Sequence, residues 1–148
     1  MTALSADRNT PRFQGDVKVA LAAASQKFFA GGIVMRNASG YAVKGATATS
    51  QVGIGRADEQ VDNSTGSAGD KSVKVRPGVH RFANSTSGDL ITIADIGKPC
   101  FTVDDQTVAK TNGTNTRSIA GFIYDVDDLG VWVEFNEARV QSHLAGIA

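Results

Sequence analysis

Residues 97–135 read GKPCFTVDDQTVAKTNGTNTRSIAGFIYDVDDLGVWVEF. Four short runs in this stretch are rich in β-branched and aromatic residues: Cys100–Val103, Thr107–Lys110, Ser118–Val126 and Val131–Phe135. Each is bounded by Asp, Asn, Gly or Thr, the pattern of consecutive antiparallel strands, and it predicts a β-meander. Asp104-Asp105-Gln106 and Asp127-Asp128-Leu129-Gly130 supply the turns, the second with a Gly able to take the positive φ of a tight hairpin. In the last run, Val131, Val133 and Phe135 share one face and Trp132 and Glu134 the other.

Upstream of this stretch the chain keeps the same character. Asp16–Ala24 alternates and then ends in an alanine run that suits strand or helix. Lys27–Met35 and Tyr41–Lys44 flank the turn Asn37-Ala38-Ser39-Gly40 and predict a hairpin, with Gly31-Gly32 as a bend. Ala46–Arg56 predicts a Gly-punctuated strand packed closely on a neighbour, and the polar Asp58–Lys71 a long exposed loop. Ser72–Phe82 alternates around Pro77-Gly78, which marks an edge or a bulge. Leu90–Ile96 is the most apolar short run and is expected in the core. After it all, Asn136–Ala148 permits one short helix with Asn136 as N-cap, marginal unless docked.

With 148 residues, one domain is expected, long enough to bury about 68–70% of its unfolded surface. Fifteen basic residues balance fifteen acidic ones, which gives no net attraction to nucleic acid or an anionic membrane. Sixteen Gly with 7% aromatic residues suit short strands and turns better than a helical bundle. The expected fold is therefore all-β: a small barrel-like or sandwich domain of roughly seven to ten strands over residues 17–148. Residues 1–16, polar and broken by Pro11, form an extended N-terminal arm. MTALSADRNTPRF has neither the basic start nor the apolar core of a signal peptide, and no run approaches a membrane span, so synthesis in the cytoplasm is expected.

The residues give little support to catalysis. The two histidines, His80 and His143, are expected to face solvent, and no G-x-S-x-G, H-E-x-x-H or C-x-x-C pattern occurs. Cys100 stands alone and reads as a small buried hydrophobe. Asp125–Gly130 has something of a calcium loop's spacing, but position twelve would be Asn136 instead of Glu. Gly53-Ile54-Gly55 lacks the third glycine of a dinucleotide motif and reads as a strand bend. Lys74, Arg76 and Arg81 cluster with only Phe82 beside them, too little aromatic surface for a nucleic-acid platform. No metal, cofactor or enzymatic activity is expected.

The order IGKPCFTVDDQTVAKT (96–111), an Asn/Thr/Gly turn, then SIAGFIYDVDDLGVWVEF (118–135) resembles the C-terminal half of tailed-bacteriophage capsid decoration (head cement) proteins. The resemblance is carried by the last third of the chain, and none of its motifs is catalytic. It implies a homotrimer on the outer capsid surface that binds the major capsid protein and cements neighbouring capsomers of the expanded shell. Residue type, independently of any family motif, makes Leu4, Arg8, Arg12 and Phe13 of the arm the expected capsid contacts, because interfaces favour apolar anchors and Arg. The arm would act by adding its backbone to a neighbouring sheet edge. Tyr124 and Trp132 are candidate anchors between subunits, though plain core packing is the role first expected of each. Two other classes stay open: a virion binding module such as a fibre or carbohydrate-binding domain, and a small β-barrel enzyme gathering His80 with distant Asp or Ser.

Overall fold

Pro77 divides the alternating run Ser72–Phe82 between two different sheets. In the computed structural model, which describes residues 2–13 and 15–146, the strands before and after it are β7 (Ser72–Arg76) and β8 (Gly78–Phe82). The remaining strands are β1 (Lys18–Leu21), β2 (Gln26–Phe28), β3 (Ile33–Arg36), β4 (Ala42–Lys44), β5 (Val52–Ala57), β6 (Val61–Asn63), β9 (Pro99–Thr102), β10 (Val108–Ala109), β11 (Ile119–Asp127) and β12 (Gly130–Phe135). Among the described residues one α-helix, α1 (Glu137–Gly146), follows the last strand. The fold is all-β, with twelve strands among the described residues where roughly seven to ten were expected from the turn signals.

Two five-stranded antiparallel sheets stack on each other. The first has the order β1-β7-β5-β3-β4 and the second β10-β9-β11-β12-β8, while β2 and β6 form a separate two-stranded ribbon. Between the sheets lies a core drawn from both: Ile33, Met35 and Val43 meet Ile123, Val131, Val133 and Phe135. Alternation along β12 sends its three large apolar residues to this core and leaves Trp132 and Glu134 half-buried on the outer face. Leu90–Ile96 contributes only Ile91 to it.

The first sheet also curls. A parallel bridge between Ala22 and Ala42 joins the segment after β1 to β4, at the opposite end of the strand order. Its inner face encloses a second core of Ala20, Val34, Ile54, Val73 and Val75, closed over by Phe28 and Val61 of the β2–β6 ribbon. The Asp58–Lys71 segment is thus not simply an exposed loop. Val61–Asn63 pairs with β2, and Asn63 is buried with its amide donating to the Ala23 carbonyl at 2.9 Å and the Ser67 carbonyl at 3.1 Å.

The last third is not a meander. β10 pairs with the outer edge of β9, and β11 returns to the other edge of β9, so the chain crosses from one side to the other through residues 111–118. β10 has two residues, too short to offer β11 a full partner, whereas β9 offers four. The hairpin β11–β12 forms as expected, with Asp127 Oδ1 accepting from the backbone N–H of Leu129 (2.8 Å) and Gly130 (3.1 Å). The β3–β4 hairpin forms on Asn37 in the same way, its Oδ1 accepting from Ser39 and Tyr41.

The ambiguous Asp16–Ala24 run is a strand, β1, settled by its pairing with β7. The terminal helix begins as its sequence implies: Asn136 Oδ1 accepts from the Arg139 backbone N–H at 3.0 Å, capping an orphan donor. It is docked by Val140, fully buried against Val52, Ile119 and Phe122. A ten-residue helix needs such packing to persist.

Candidate interaction surface

The arm is extended over its described residues and does not pack on the domain. Leu4 is 73% exposed and Phe13 81%, Arg8 and Arg12 are exposed, and the one backbone hydrogen bond among the arm's described residues is local, from Thr10 N–H to the Arg8 carbonyl at 3.1 Å. At its base, Asp16 reaches Arg76 at 3.8 Å, an exposed pair of little energetic weight.

The arm leads directly into β1, which stands at the end of its sheet and pairs on one side with β7. Here the usual rule of burial is inverted. Val19 and Leu21 face outward at 59% and 52% exposure, while Ala20 and Ala22 fill the inner core. Large apolar side chains left in water beside buried alanines are the informative kind of exposure. The alternation of Asp16–Ala24 carried this signal, since Ala20, Ala22 and Ala24 share one face and Val17, Val19 and Leu21 the other, but a size-based reading sends Val and Leu inward.

A second apolar patch lies where the sequence led us to expect core. Of Leu90–Ile96, only Ile91 among the apolar side chains that could fill the core is buried, and Leu90, Ile93 and Ile96 are 44%, 74% and 44% exposed. The cause is local. Asn84 clamps the Ile91 backbone on both sides, Nδ2 donating to its carbonyl at 2.9 Å and Oδ1 accepting from its N–H at 3.0 Å. Thr92 and Asp95 then close a capping box around a 3-10 turn, Ile93–Asp95. Residues three apart eclipse in such a turn, which is the spacing of Leu90, Ile93 and Ile96. Asp95 is buried, and its carboxyl is held below the usual range first by the Thr92 backbone N–H, with Lys110 and Lys98 adding to it against the opposing effect of burial.

Tyr124 and Trp132 are not core residues. Tyr124 is the extra residue at a bulge of β11 against β12 and is 59% exposed. Trp132 is half-buried on the outer face of the second sheet. Its indole N–H donates to Asp127 Oδ2 at 2.8 Å, and the Arg81 guanidinium lies 5.5 Å from the ring. That indole hydrogen bond, with the Leu129 backbone N–H, keeps the Asp127 carboxyl below its ordinary value. The turn thus consumes the carboxylate that a cation would need.

The histidines are half-buried, not solvent-facing as expected. His80 Nε2 lies 3.0 Å from the Arg76 carbonyl and 3.3 Å from that of Pro77, and its ring is 6.2 Å from Phe135. His143 stands edge-on to Phe122 at 5.9 Å. Cys100 is fully buried, as its sequence context implies, and burial pushes its thiol up to about 12. Among the described residues no three His, Cys, Asp or Glu gather as a metal site, and no helix is long and apolar enough to cross a membrane.

No family model, curated protein or solved structure matches this chain.

Proposed function

We propose that this chain is a non-enzymatic structural protein of a tailed-phage head. In this reading it is a decoration protein that binds the outer shell where capsomers of the major capsid protein meet and cements them against the pressure of packaged DNA. The observation that carries the reading is the unpacked arm running into an edge strand that shows Val19 and Leu21 to solvent and buries alanines. An edge offers unpaired backbone N–H and C=O groups, and a neighbouring chain can complete it by strand addition. Leu4 and Phe13 supply apolar anchors on the arm, and Arg8 and Arg12 the charge-assisted contacts.

Assembly as a homotrimer would cover part of this surface, with the Leu90–Ile93–Ile96 patch and Tyr124 as the further apolar area available to subunit contacts. A trimer presents three arms, and linked contacts add through effective concentration even when each is modest. Zero net charge fits a mechanism based on burial and backbone pairing rather than long-range attraction. Anything that binds the expanded shell and not the separated capsomers stabilises the shell by linkage, by about 2.7 kcal/mol per site when present at 100 times its dissociation constant. The protein is made in the bacterial cytoplasm and ends on the virion exterior.

The test is the heat resistance of DNA-filled heads of the parent phage, prepared with and without this protein. Decorated heads are expected to retain DNA to a higher temperature. Equal release temperatures at saturating protein overturn the reading.

A further inference from the structure

A cleft of about 490 Å³ opens between the residues leading into β5, the crossing segment 111–118 and α1. Its volume is within the range of small-molecule sites. Val52, Phe101, Ile119 and Leu144 supply the apolar lining, and Ser50, Gln51, Asn115 and Gln141 the polar one. None of the expected contact residues lies in it.

The walls are built, not merely adjacent. Ser118 Oγ donates to the Ala48 carbonyl at 2.7 Å and accepts from the Gln51 backbone N–H at 3.1 Å, pinning the 48–51 segment. Opposite it, Asn112 and Asn115 bond each other twice, through Asn112 Nδ2 to Asn115 Oδ1 at 3.0 Å and Asn115 N–H to Asn112 Oδ1 at 3.2 Å. Left-handed backbone concentrates here: Ser50 (φ 60°), Thr114 (φ 60°) and Asn115 (φ 64°) are three of the five non-glycine residues with positive φ among those described. Such strain gathers at ligand sites more than at plain loops.

The chemistry of the lining selects a class of ligand. Arg117 brings a cation to the wall, but its Nη1 is already bonded to Asp89 Oδ2 and to the Thr111 carbonyl, each at 3.1 Å. The charge of that arginine is thus paired with Asp89, while its Nε, shielded from solvent, has no acceptor in the structure and is a further donor that a hydroxyl could satisfy. Besides this the cleft offers side-chain amides, hydroxyls and the His143 imidazole around an apolar floor, groups that can both donate and accept. Gln51 Oε1 is shielded from solvent and has no donor in the structure. The terminal torsion of a glutamine is soft, so this oxygen can turn toward a hydroxyl delivered into the cleft.

We propose that the cleft binds a neutral saccharide, one ring lying with its C–H face on Phe101 and Leu144 and its vicinal hydroxyls on Gln51, Asn115 and Gln141. Sugar binding of this kind is independent of capsid attachment, and either can fail without the other. The test is titration of the isotope-labelled full-length protein with glucose, galactose and N-acetylglucosamine, with sialic acid as the charged control, followed by amide NMR shifts. At least one neutral sugar should shift the amides of residues 50–51, 115 and 141, with sialic acid weaker. Gln141→Ala, an exposed change that leaves the helix docked, should weaken that binding about tenfold, equivalent to about 1.4 kcal/mol. Leu144→Trp, which fills the floor, should abolish it. Absence of saturable shifts with all three neutral sugars, shifts elsewhere, or binding indifferent to Gln141→Ala overturns the proposal.

Discussion

Gly53 of β5 lies against the backbone of Ala120 of β11, so close that a methyl group at Gly53 would collide with the Ala120 carbonyl. Here β5 of the first sheet touches β11 of the second main chain to main chain. Most side chains at a sheet-to-sheet interface hold the layers about 10 Å apart. Here the absence of one lets them converge, and it fixes the approach of β5 to β11, against which Val140 of α1 also packs.

Gly53→Ala is therefore expected to destabilise the protein by at least about 3 kcal/mol, the upper part of the range for overpacking a rigid core. The melting temperature should fall by about 6 °C or more. A Gly53→Ala protein that melts with the parent would show that the sheets separate freely at this point.

Cys100 tests the burial of the main core chemically. Its thiol is fully buried and raised to about 12, so almost none is thiolate at pH 8. An aromatic disulfide reagent at pH 8 is expected to leave the native protein unmodified for hours and to react with one thiol per chain once guanidinium unfolds it. Labelling within minutes in native buffer contradicts this arrangement.

Glu137 ties the first turn of α1 to the first sheet. It accepts from Arg36, through Nε and, at 3.3 Å, Nη2, and from Lys18 at 3.2 Å. Burial raises its carboxyl, but the hydrogen bonds from Arg36 and Lys18 outweigh this and hold it below the ordinary value of 4.5. A depressed folded value gives stability that is present above the unfolded value and lost as pH falls through the folded one. Glu137→Gln should thus be less stable than the parent at pH 7, and the gap should close below about pH 4.5. Denaturant titrations across pH 3–7 read this directly, and a gap constant over that range counts against the ion pair.

The arm should contribute nothing to the fold of the domain it precedes. With Leu4 and Phe13 in solvent, deleting residues 1–13 is expected to change the melting temperature by no more than about 2 °C, as for surface changes worth under 0.5 kcal/mol. A larger loss means that the arm packs on its own domain in solution.

The strands that the sequence made legible are those whose own residues decide them. β11, β12 and the β3–β4 hairpin follow from alternation and from Asn37 and Asp127 in their turns. Pairing partners are another matter, because they depend on packing between distant segments. Nothing in Val108–Ala109 says that it lies outside β9, and nothing in Val61–Asn63 says that Phe28 awaits it. Leu90–Ile96 misled for the opposite reason: its hydrophobicity points inward, but Asn84 and the Thr92–Asp95 box set the backbone so that three of its side chains face out. Of the candidate contact residues, Leu4, Arg8, Arg12 and Phe13 could be read from composition, whereas Val19 and Leu21 required knowing which face of β1 is the inside.

We propose attachment to a phage shell through the arm and the β1 edge. Its most direct measurement is co-sedimentation with expanded capsids of the parent phage that lack the protein, using the full chain and a chain without residues 1–13. The full chain should pellet saturably, and the truncated chain, equally folded, should bind at least about tenfold more weakly, the loss of about 1.4 kcal/mol or more of contact. Full-length protein that stays in the supernatant over these capsids contradicts the capsid claim itself, and equal pelleting of both chains contradicts the role given to the arm.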